Sequence, residues 1–459
     1  MRPSTTIPQE LVVFLASFTA RVIYCKNQQL SSDELLALRS AQFISEKKHW
    51  PIYRLGQDYM LALDDFISSL LLQVVHNDIL AIRLFPILMA SIGVALFWRI
   101  FRALPNRPYS KYSLLPLVVP SQLIWCYSGG ATGTYGTAFC ISGLLTLLAL
   151  QCRSHNVRFY SAIALTGGVA ILIWRACIFY GIVALSTCIR APETLTNAIQ
   201  LASRKRTTIF FFVLSASSGF GLAYHYLTRP QTFSMAAIDY GLLAIFSSSV
   251  AAILYCNRPV AQQTYYSLLP ALSISCIWAT FSVATSLCFS LWAPVIYPAG
   301  KDGLYSVQYS IYHVHDIPFQ VLAFFGRPFL LVFTGPSLGI VSATYPPLDV
   351  LDYTRGAVVL LLVFISVVVW ARGICTPEHE HTIRPDALVV LPAILALIVI
   401  LPSYQNFGDY SYRYLVPFLP GILLLIDSSL ARVLSPALRV SIWGTLMGWN
   451  FVQSMPPAG

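Results

Sequence analysis

Residues 80–100, with the sequence LAIRLFPILMASIGVALFWRI, form an apolar run long enough for an α-helix to cross a bilayer. Similar runs recur along the chain, whose hydrophobic content is 56% and whose mean hydropathy is +0.67. Because the bilayer interior cannot satisfy exposed backbone groups, such runs cross it as helices. The sequence therefore predicts an all-α, polytopic membrane protein with one membrane domain over residues 1–459 and about thirteen transmembrane helices.

Several predicted spans are short for a full crossing, so they either extend beyond these limits or continue into loop ends that dip into the bilayer. The predicted spans are residues 11–25, 80–100, 114–127, 132–150, 160–174, 177–189, 207–227, 236–256, 268–292, 356–371, 387–401, 414–430 and 440–452.

The basic residues predict the orientation of the chain. With a cytoplasmic N-terminus, the loops on the cytoplasmic side hold the whole formal net charge of +10, and the outer loops are neutral overall. The positive-inside rule expects this asymmetry, so the charge indicates no nucleic-acid partner. Loops 26–79 and 293–355 then lie on the outer face, where we expect the active-site side of the protein.

The first outer loop is rich in charge although the whole chain is only 10% charged. Apolar residues recur at helical spacing after Ser31-Ser32-Asp33-Glu34, which is typical of a helix start with acids in its first turn. This pattern predicts an interfacial helix along the membrane surface. An ordinary solvated loop, carrying the charges that membrane segments cannot hold, is the alternative.

Acidic residues of this loop are the candidate catalysts. Asp33 and Glu34 lie just outside the first span, where a carboxylate near the membrane surface can act as general base on an acceptor hydroxyl or amine. Both acids also suit a helix N-terminus through the helix dipole, so a structural role stays open. Asp58, Asp64 and Asp65 form a second acidic group with the same two interpretations.

Outer-face cations are candidates for binding a phosphate. Arg175 interrupts an apolar run, where an ionisable group is either functional or a turn residue that snorkels to the headgroups. Arg327 and Arg413 can act as bidentate phosphate ligands. His313 and His315 lie two residues apart without a third fixed ligand, which favours a hydrogen-bonded loop over a metal site.

Several function classes lose support from the sequence. It contains no P-loop, no G-x-S-x-G elbow, no H-E-x-x-H and no G-x-G-x-x-G. The ten cysteines lie mostly in apolar runs and show no ligand spacing, so they indicate neither a disulfide framework nor a metal site. No cofactor or metal requirement can be read from the sequence.

Three passages resemble the GT-C superfamily of glycosyltransferases that use polyprenyl-phosphate sugars, in the branch of protein O-mannosyltransferases and the lipid A aminoarabinose transferase. The run from Asp33 to Ala41 is similar to the Asp-Glu motif of the first outer loop. Residues 56–64 and 81–84 are similar to the G-Q-P-Y-M-G-S-L-E run and the A-L-R-L that follows it. Residues 412–420 are similar to the R-Y-L-x-P-x-x-P signature.

The resemblance implies an inverting glycosyltransferase that takes its sugar from a polyprenyl-monophosphate donor, with Asp33 as the catalytic general base. We expect Glu34, the second catalytic candidate, and Asp64 to orient acceptor or sugar hydroxyls. The candidate binding residues of the sequence form two groups, and three kinds of partner are expected. Acceptor or sugar contacts fall on Gln57, Asp58, Tyr59, Asp64, His313 and His315. Contacts to the phosphate of the sugar donor fall on Lys48, Arg54, Arg175, Arg327 and Arg413. The partners are the lipid-linked sugar, membrane lipids, and a glycan, lipid or protein acceptor.

The chain departs from the family at one point, because it reads Leu61-Ala62-Leu63-Asp64 where the aminoarabinose transferases carry a phosphate-binding Lys. Two other function classes remain open: a ligase of the O-antigen type with a diphosphate-linked glycan donor, and a flippase or transporter of lipid-linked sugars. The branch resembled favours a bacterial inner membrane over the endoplasmic reticulum.

Overall fold

The structure is a computed structural model that describes part of the chain. The described residues are 8–26, 30–47, 53–54, 57–104, 109–151, twelve positions between 163 and 184, and then 317–326, 328–334, 349–374, 385–400 and 411–454. Over these residues the chain is helical except for one small hairpin, which confirms the all-α prediction in its main part.

Elements of the first third of the chain include three helices that lie close to predicted spans. The elements are α1 (Gln9–Lys26), α2 (Ser32–Lys47), β1 (Tyr53–Arg54), β2 (Gln57–Leu61), α3 (Leu63–Leu71), α4 (Asp78–Arg102), a 3-10 helix (Ser110–Leu114), α5 (Leu115–Val118), α6 (Gln122–Ser128) and α7 (Tyr135–Gln151). Helices α1, α4 and α7 lie close to the predicted spans 11–25, 80–100 and 132–150.

Elements of the last third follow after a long interval outside the described residues. They are α8 (Ile317–Gly326), α9 (Pro328–Thr334), α10 (Val350–Ile374), α11 (Ala387–Ile400), a second 3-10 helix (Ser411–Phe418), α12 (Leu419–Val433) and α13 (Pro436–Ser454).

Three of the described helical stretches are long and apolar enough to cross a membrane: Asp78–Arg102, Val350–Ala371 and Leu415–Val433. Two shorter apolar helices, Tyr135–Gln151 and Ala387–Ile398, accompany them. The protein is therefore an integral membrane protein by the length and composition of its helices. The count of thirteen spans stays a prediction, because the predicted spans between 207 and 292 lie outside the described residues.

The predicted span 114–127 is broken in the structure. Helix α5 ends at Val118 and α6 starts at Gln122, with Pro120 between them. Such a break leaves carbonyl groups without intrahelical partners in an environment that contains little water. The buried side chains of Arg21, Tyr24 and Asn450 supply the missing donors: they donate to the carbonyl oxygens of Leu117 (3.1 Å), Pro120 (2.9 Å) and Val119 (3.1 Å).

The apolar run 319–333 is also divided, as its Gly-Arg-Pro sequence suggests, into α8 and α9. Helix α8 packs closely on α10 because both helices place a glycine at the crossing. A Cβ atom on Gly326 would overlap the carbonyl oxygen of Asp352, and one on Gly356 would overlap that of Leu322. The small residues thus let the two backbones touch.

The loop that the sequence predicts on the outer face, residues 26–79, forms regular structure over most of its described residues. Helix α2 begins where the Ser-Ser-Asp-Glu sequence predicts, whereas the hairpin of β1 and β2 was not predicted. Helix α3 buries its polar residues Asp64, Asp65 and Ser68, while Leu70 is 46% exposed. This inverted polarity is typical of a helix at a lipid interface, and the interfacial location of the loop stays a prediction.

Candidate functional site

The N-terminus of α2 is held by a reciprocal pair of hydrogen bonds. The Ser31 hydroxyl accepts from the Glu34 backbone N–H at 3.2 Å, and the Glu34 carboxylate accepts from the Ser31 backbone N–H at 3.0 Å. This is the capping box that a Ser-x-x-Glu sequence forms at a helix start. Asp33 lies inside the box, so the direction of its backbone is set by local sequence.

Glu34 also binds the rest of the protein. The residue is 3% exposed, and its carboxylate accepts two hydrogen bonds from the buried Arg83 of α4, from Nε at 2.7 Å and from Nη2 at 2.8 Å. The backbone N–H of Ala131, in the turn between α6 and α7, donates to the same carboxylate at 3.2 Å. A bidentate pair of this kind is strong and directional, so Glu34 joins α2 to α4 and to the turn.

Arg83 is fixed on its other sides as well. Its Nη1 donates to the carbonyl oxygen of Cys25 at 3.1 Å, and its guanidinium carbon lies 5.2 Å from the centre of the Trp125 ring. A buried arginine needs such partners, because an unpaired charge is expensive away from water. The Glu34–Arg83 ion pair is thus buried, and it supports the more exposed part of the site.

Asp33, the neighbour of Glu34 in the sequence, has a side chain that is 31% exposed. Its carboxylate is 3.4 Å from Nη1 of Arg413, which belongs to the second 3-10 helix and is 15% exposed. The two residues form an ion pair that water can reach. A carboxylate and a guanidinium side by side at the surface of a helical membrane protein can bind a polar substrate group and accept its proton.

Arg54, on strand β1, contacts the backbone of Asp33 and has only 3% of its surface exposed. Its Nη2 donates to the backbone carbonyl of Asp33 at 3.2 Å and to that of Ala131 at 2.6 Å. Its Nε is 3.6 Å from Oδ1 of Asp65 on α3. The hairpin that the sequence did not predict therefore delivers a cation to the backbone of the candidate catalyst.

The neighbouring carboxylates of α3 lie in a dry environment. Asp64 accepts a hydrogen bond from the Thr137 hydroxyl of α7 at 2.7 Å. Burial raises the pKa of Asp64 to about 7, and the charge of Asp65 acts in the same direction. Burial also raises the pKa of Asp65, against the opposing effect of Arg54. The pair therefore titrates closer to neutral pH than a solvated aspartate does.

The structure brings five of the residues singled out in the sequence into one region: Asp33, Glu34, Arg54, Asp64 and Arg413. Strand β2 carries Gln57, Asp58 and Tyr59, whose side chains lie outside the described part of the structure. Lys48, Arg175, His313, His315 and Arg327 lie outside the described residues altogether. The roles assigned to all of these residues stay predictions.

Sequence reasoning missed the partners that complete the region. Arg83 was part of a recognised motif but was not assigned a role, although a charge within the predicted span 80–100 is a signal in itself. Thr137 and the backbone of Ala131 carry no such signal, because a hydroxyl or a peptide group becomes a partner only through tertiary contact. Among the described residues no group of three or more His, Cys, Asp or Glu side chains is placed to hold a metal ion.

A scan against protein-family models and a search of curated proteins both find no match. A search of solved structures finds the apo crystal structure of the Archaeoglobus fulgidus oligosaccharyltransferase, with 12% identity, a TM-score of 0.44, and coverage of 97% of this chain and 56% of that one. It also finds the Archaeoglobus fulgidus oligosaccharyltransferase AglB in complex with an inhibitory peptide and a dolichol-phosphate, with 11% identity, a TM-score of 0.42, and coverage of 97% and 55%. This chain spans about half the length of either structure.

Proposed function

We propose that this protein is an integral-membrane, inverting glycosyltransferase that transfers a sugar from a polyprenyl-monophosphate carrier to an acceptor on the outer face of the membrane. The observation that carries the proposal is the ion pair between Asp33 and Arg413, in which the Asp33 side chain is 31% exposed, next to the buried Glu34–Arg83 pair. The GT-C resemblance of the Asp33 and Arg413 motifs supports the same assignment.

The proposed reaction needs a base for the proton of the acceptor and a cation for the charge of the leaving phosphate. The Asp33 carboxylate accepts the proton of the acceptor hydroxyl or amine as that atom attacks the anomeric carbon. A new bond forms between the acceptor and the anomeric carbon while the bond to the phosphate oxygen breaks. The electron pair of that bond leaves with the polyprenyl phosphate, and the configuration at the anomeric carbon inverts.

Arg413 stabilises the charge that develops on the leaving phosphate. A guanidinium carries five N–H donors in a planar fork and keeps its positive charge at any working pH, so it suits the oxygens of a phosphate. Preorganised cations of this kind are a large part of catalysis wherever negative charge grows in the transition state. Lys48, Arg175 and Arg327 are proposed to add to this cationic side.

The remaining predicted residues take positioning and binding roles in the proposal. Glu34 orients the start of α2, and with it Asp33, through its capping box and its pair with Arg83. Gln57, Asp58, Tyr59 and Asp64, together with His313 and His315, are proposed to bind acceptor or sugar hydroxyls. The prenyl tail enters from the bilayer, and a bacterial inner membrane is the proposed location.

The test is donor consumption by the purified full-length chain in nanodiscs. The protein is incubated with radiolabelled polyprenyl-monophosphate mannose, glucose or aminoarabinose, and separately with a polyprenyl-diphosphate glycan, with solubilised membrane extract as acceptor source. We expect release of free polyprenyl phosphate from a monophosphate donor and no consumption of the diphosphate donor. Consumption of the diphosphate donor alone would instead indicate a ligase, and consumption of neither would leave the transporter.

Two variants connect this activity to the site. Asp33→Asn should abolish transfer while the protein still folds, because the amide cannot accept the proton. Asp78→Asn, a change at an exposed aspartate at the start of α4, is the matched control and should retain wild-type turnover. Turnover of Asp33→Asn near the wild-type level would refute the mechanism.

A further inference from the structure

Arg54 is the most deeply buried cation beside Asp33, and its contacts are to the backbone. One nitrogen, Nη2, donates to the carbonyl oxygen of Asp33 and to that of Ala131, at 3.2 and 2.6 Å. These two carbonyls belong to the first turn of α2 and to the turn between α6 and α7. A single guanidinium therefore clamps together two segments that are 98 residues apart, Asp33 and Ala131.

The charge of Arg54 is balanced from the opposite side. Its Nε faces Oδ1 of Asp65 at 3.6 Å, and Asp65 is 2% exposed on the buried polar face of α3. Asp64, the next carboxylate of that face, is tied to Thr137. Because a buried guanidinium without a carboxylate would be strongly disfavoured, Asp65 is the reason that Arg54 can occupy this position.

This arrangement leaves Arg54 little surface for a substrate. The residue is 3% exposed, whereas Arg413, on the other side of Asp33, has a side chain that is 15% exposed. A residue that binds a phosphate has to present its N–H groups to an accessible space. Nη2 of Arg54 instead points at two protein carbonyl oxygens, and its Nε points at Asp65. Its geometry is that of a residue that holds another residue in place.

We infer that Arg54 is a positioning residue for Asp33, held in place by Asp65, and that it does not bind the phosphate of the sugar donor. The inference rests on the proposed function, because it assigns the role through Asp33 as the base. Arg54 fixes the backbone of Asp33 relative to the turn at Ala131, so the carboxylate meets the acceptor in one orientation. Loss of that orientation lowers turnover without weakening donor binding.

The kinetic test compares Arg54→Lys with Arg39→Lys, a change at an exposed arginine of the same outer loop. A lysine keeps the charge but cannot reach both carbonyls from one planar group. We expect Arg54→Lys to lower kcat roughly 10- to 100-fold while the KM for the polyprenyl-monophosphate sugar stays within about twofold. Asp65→Asn should lower kcat in the same direction, and Arg39→Lys should resemble the wild type. A rise in donor KM with kcat unchanged would overturn the inference and make Arg54 a phosphate ligand.

A second measurement needs no activity. Hydrogen exchange of peptides covering residues 30–37 and 128–134 should rise together in Arg54→Lys and remain at the wild-type level in Arg39→Lys, because the clamp joins these two segments. Unchanged exchange in both peptides would refute the clamp even if Asp33→Asn abolishes transfer. If exchange rises in Arg54→Lys but Asp33→Asn is fully active, Asp33 is not the base. The catalytic part of the inference then fails, while the clamp itself stands.

Discussion

Asp33 and Arg413 lie 380 positions apart in the sequence, and their side chains meet at 3.4 Å. One belongs to the first turn of α2 and the other to the 3-10 helix that precedes α12. The contact brings together the two motifs at opposite ends of the chain that resemble the GT-C family. This relationship is the basis of the proposed site, because it places a cation directly beside the candidate base.

Replacement of Arg413 should weaken the use of the sugar donor. Arg413→Lys keeps the charge but loses the planar fork, and Arg413→Gln loses both. The kcat/KM for the polyprenyl-monophosphate sugar should therefore fall roughly tenfold or more, and further in Arg413→Gln than in Arg413→Lys. Arg355→Lys, at an exposed arginine of α10, is the control and should have no effect. Steady-state kinetics at varied donor concentration measure the change. Wild-type kinetics in Arg413→Gln would remove Arg413 from the site.

Replacement of Glu34 should destabilise the protein. Glu34→Gln leaves Arg83 buried without its carboxylate, and breaking a buried pair from one side costs roughly 3–5 kcal/mol. Glu46→Gln, at an exposed glutamate of the same helix, should change the free energy of unfolding by less than about 0.5 kcal/mol. Denaturant unfolding in detergent measures both variants. Adding Arg83→Met to Glu34→Gln should recover part of the lost stability. Equal stability of Glu34→Gln and Glu46→Gln would contradict a stabilising Glu34–Arg83 pair.

A methyl group at the crossing of α8 and α10 should not be tolerated. Gly356→Ala places its Cβ against the carbonyl oxygen of Leu322, so the two helices must move apart and the melting temperature should fall. Gly448→Ala, on α13, is the matched control because a Cβ there meets no atom within 4 Å. In a helix that change is neutral or stabilises by up to about 1 kcal/mol. A melting temperature that is the same for both variants would show that the crossing is less close than described.

Asp64 should make the stability of the protein depend on pH. Burial raises its pKa to about 7, whereas the pKa of an unfolded aspartate is about 3.9. The folded state therefore holds the proton more tightly, and the stability that this provides is complete below about pH 4 and is lost as the pH rises through about 7. Asp64→Asn, which has no charge to gain, should flatten this part of the profile.

The measurement for Asp64 is the melting temperature in detergent from pH 4 to pH 8. Asp78→Asn, at an exposed aspartate, serves as control and should follow the wild-type profile. If Asp64→Asn retained the full wild-type slope, the titrating group would be a different one.

Local pattern predicted the parts of the site that depend on neighbours in sequence. The Ser-x-x-Glu spacing around Asp33 predicts a helix start, and α2 begins there with the capping box formed. The predicted span 80–100 corresponds to α4, Asp78–Arg102. The predicted span 114–127 was wrong as a continuous helix, because hydropathy does not register the break at Pro120 or the side chains that satisfy it.

The sequence by itself determined that this is a helical membrane protein with a structured, charged loop after its first helix, since apolar length and helix-start signals are properties of neighbouring residues. Only the tertiary structure decided that Glu34 pairs with Arg83 in the buried part of the site. It also decided that Arg54 contacts the backbone of Asp33 and that Arg413 faces the Asp33 carboxylate. Such pairings depend on which elements pack together, and the charge of a residue does not encode its partner over distances of 21 to 380 positions in the chain.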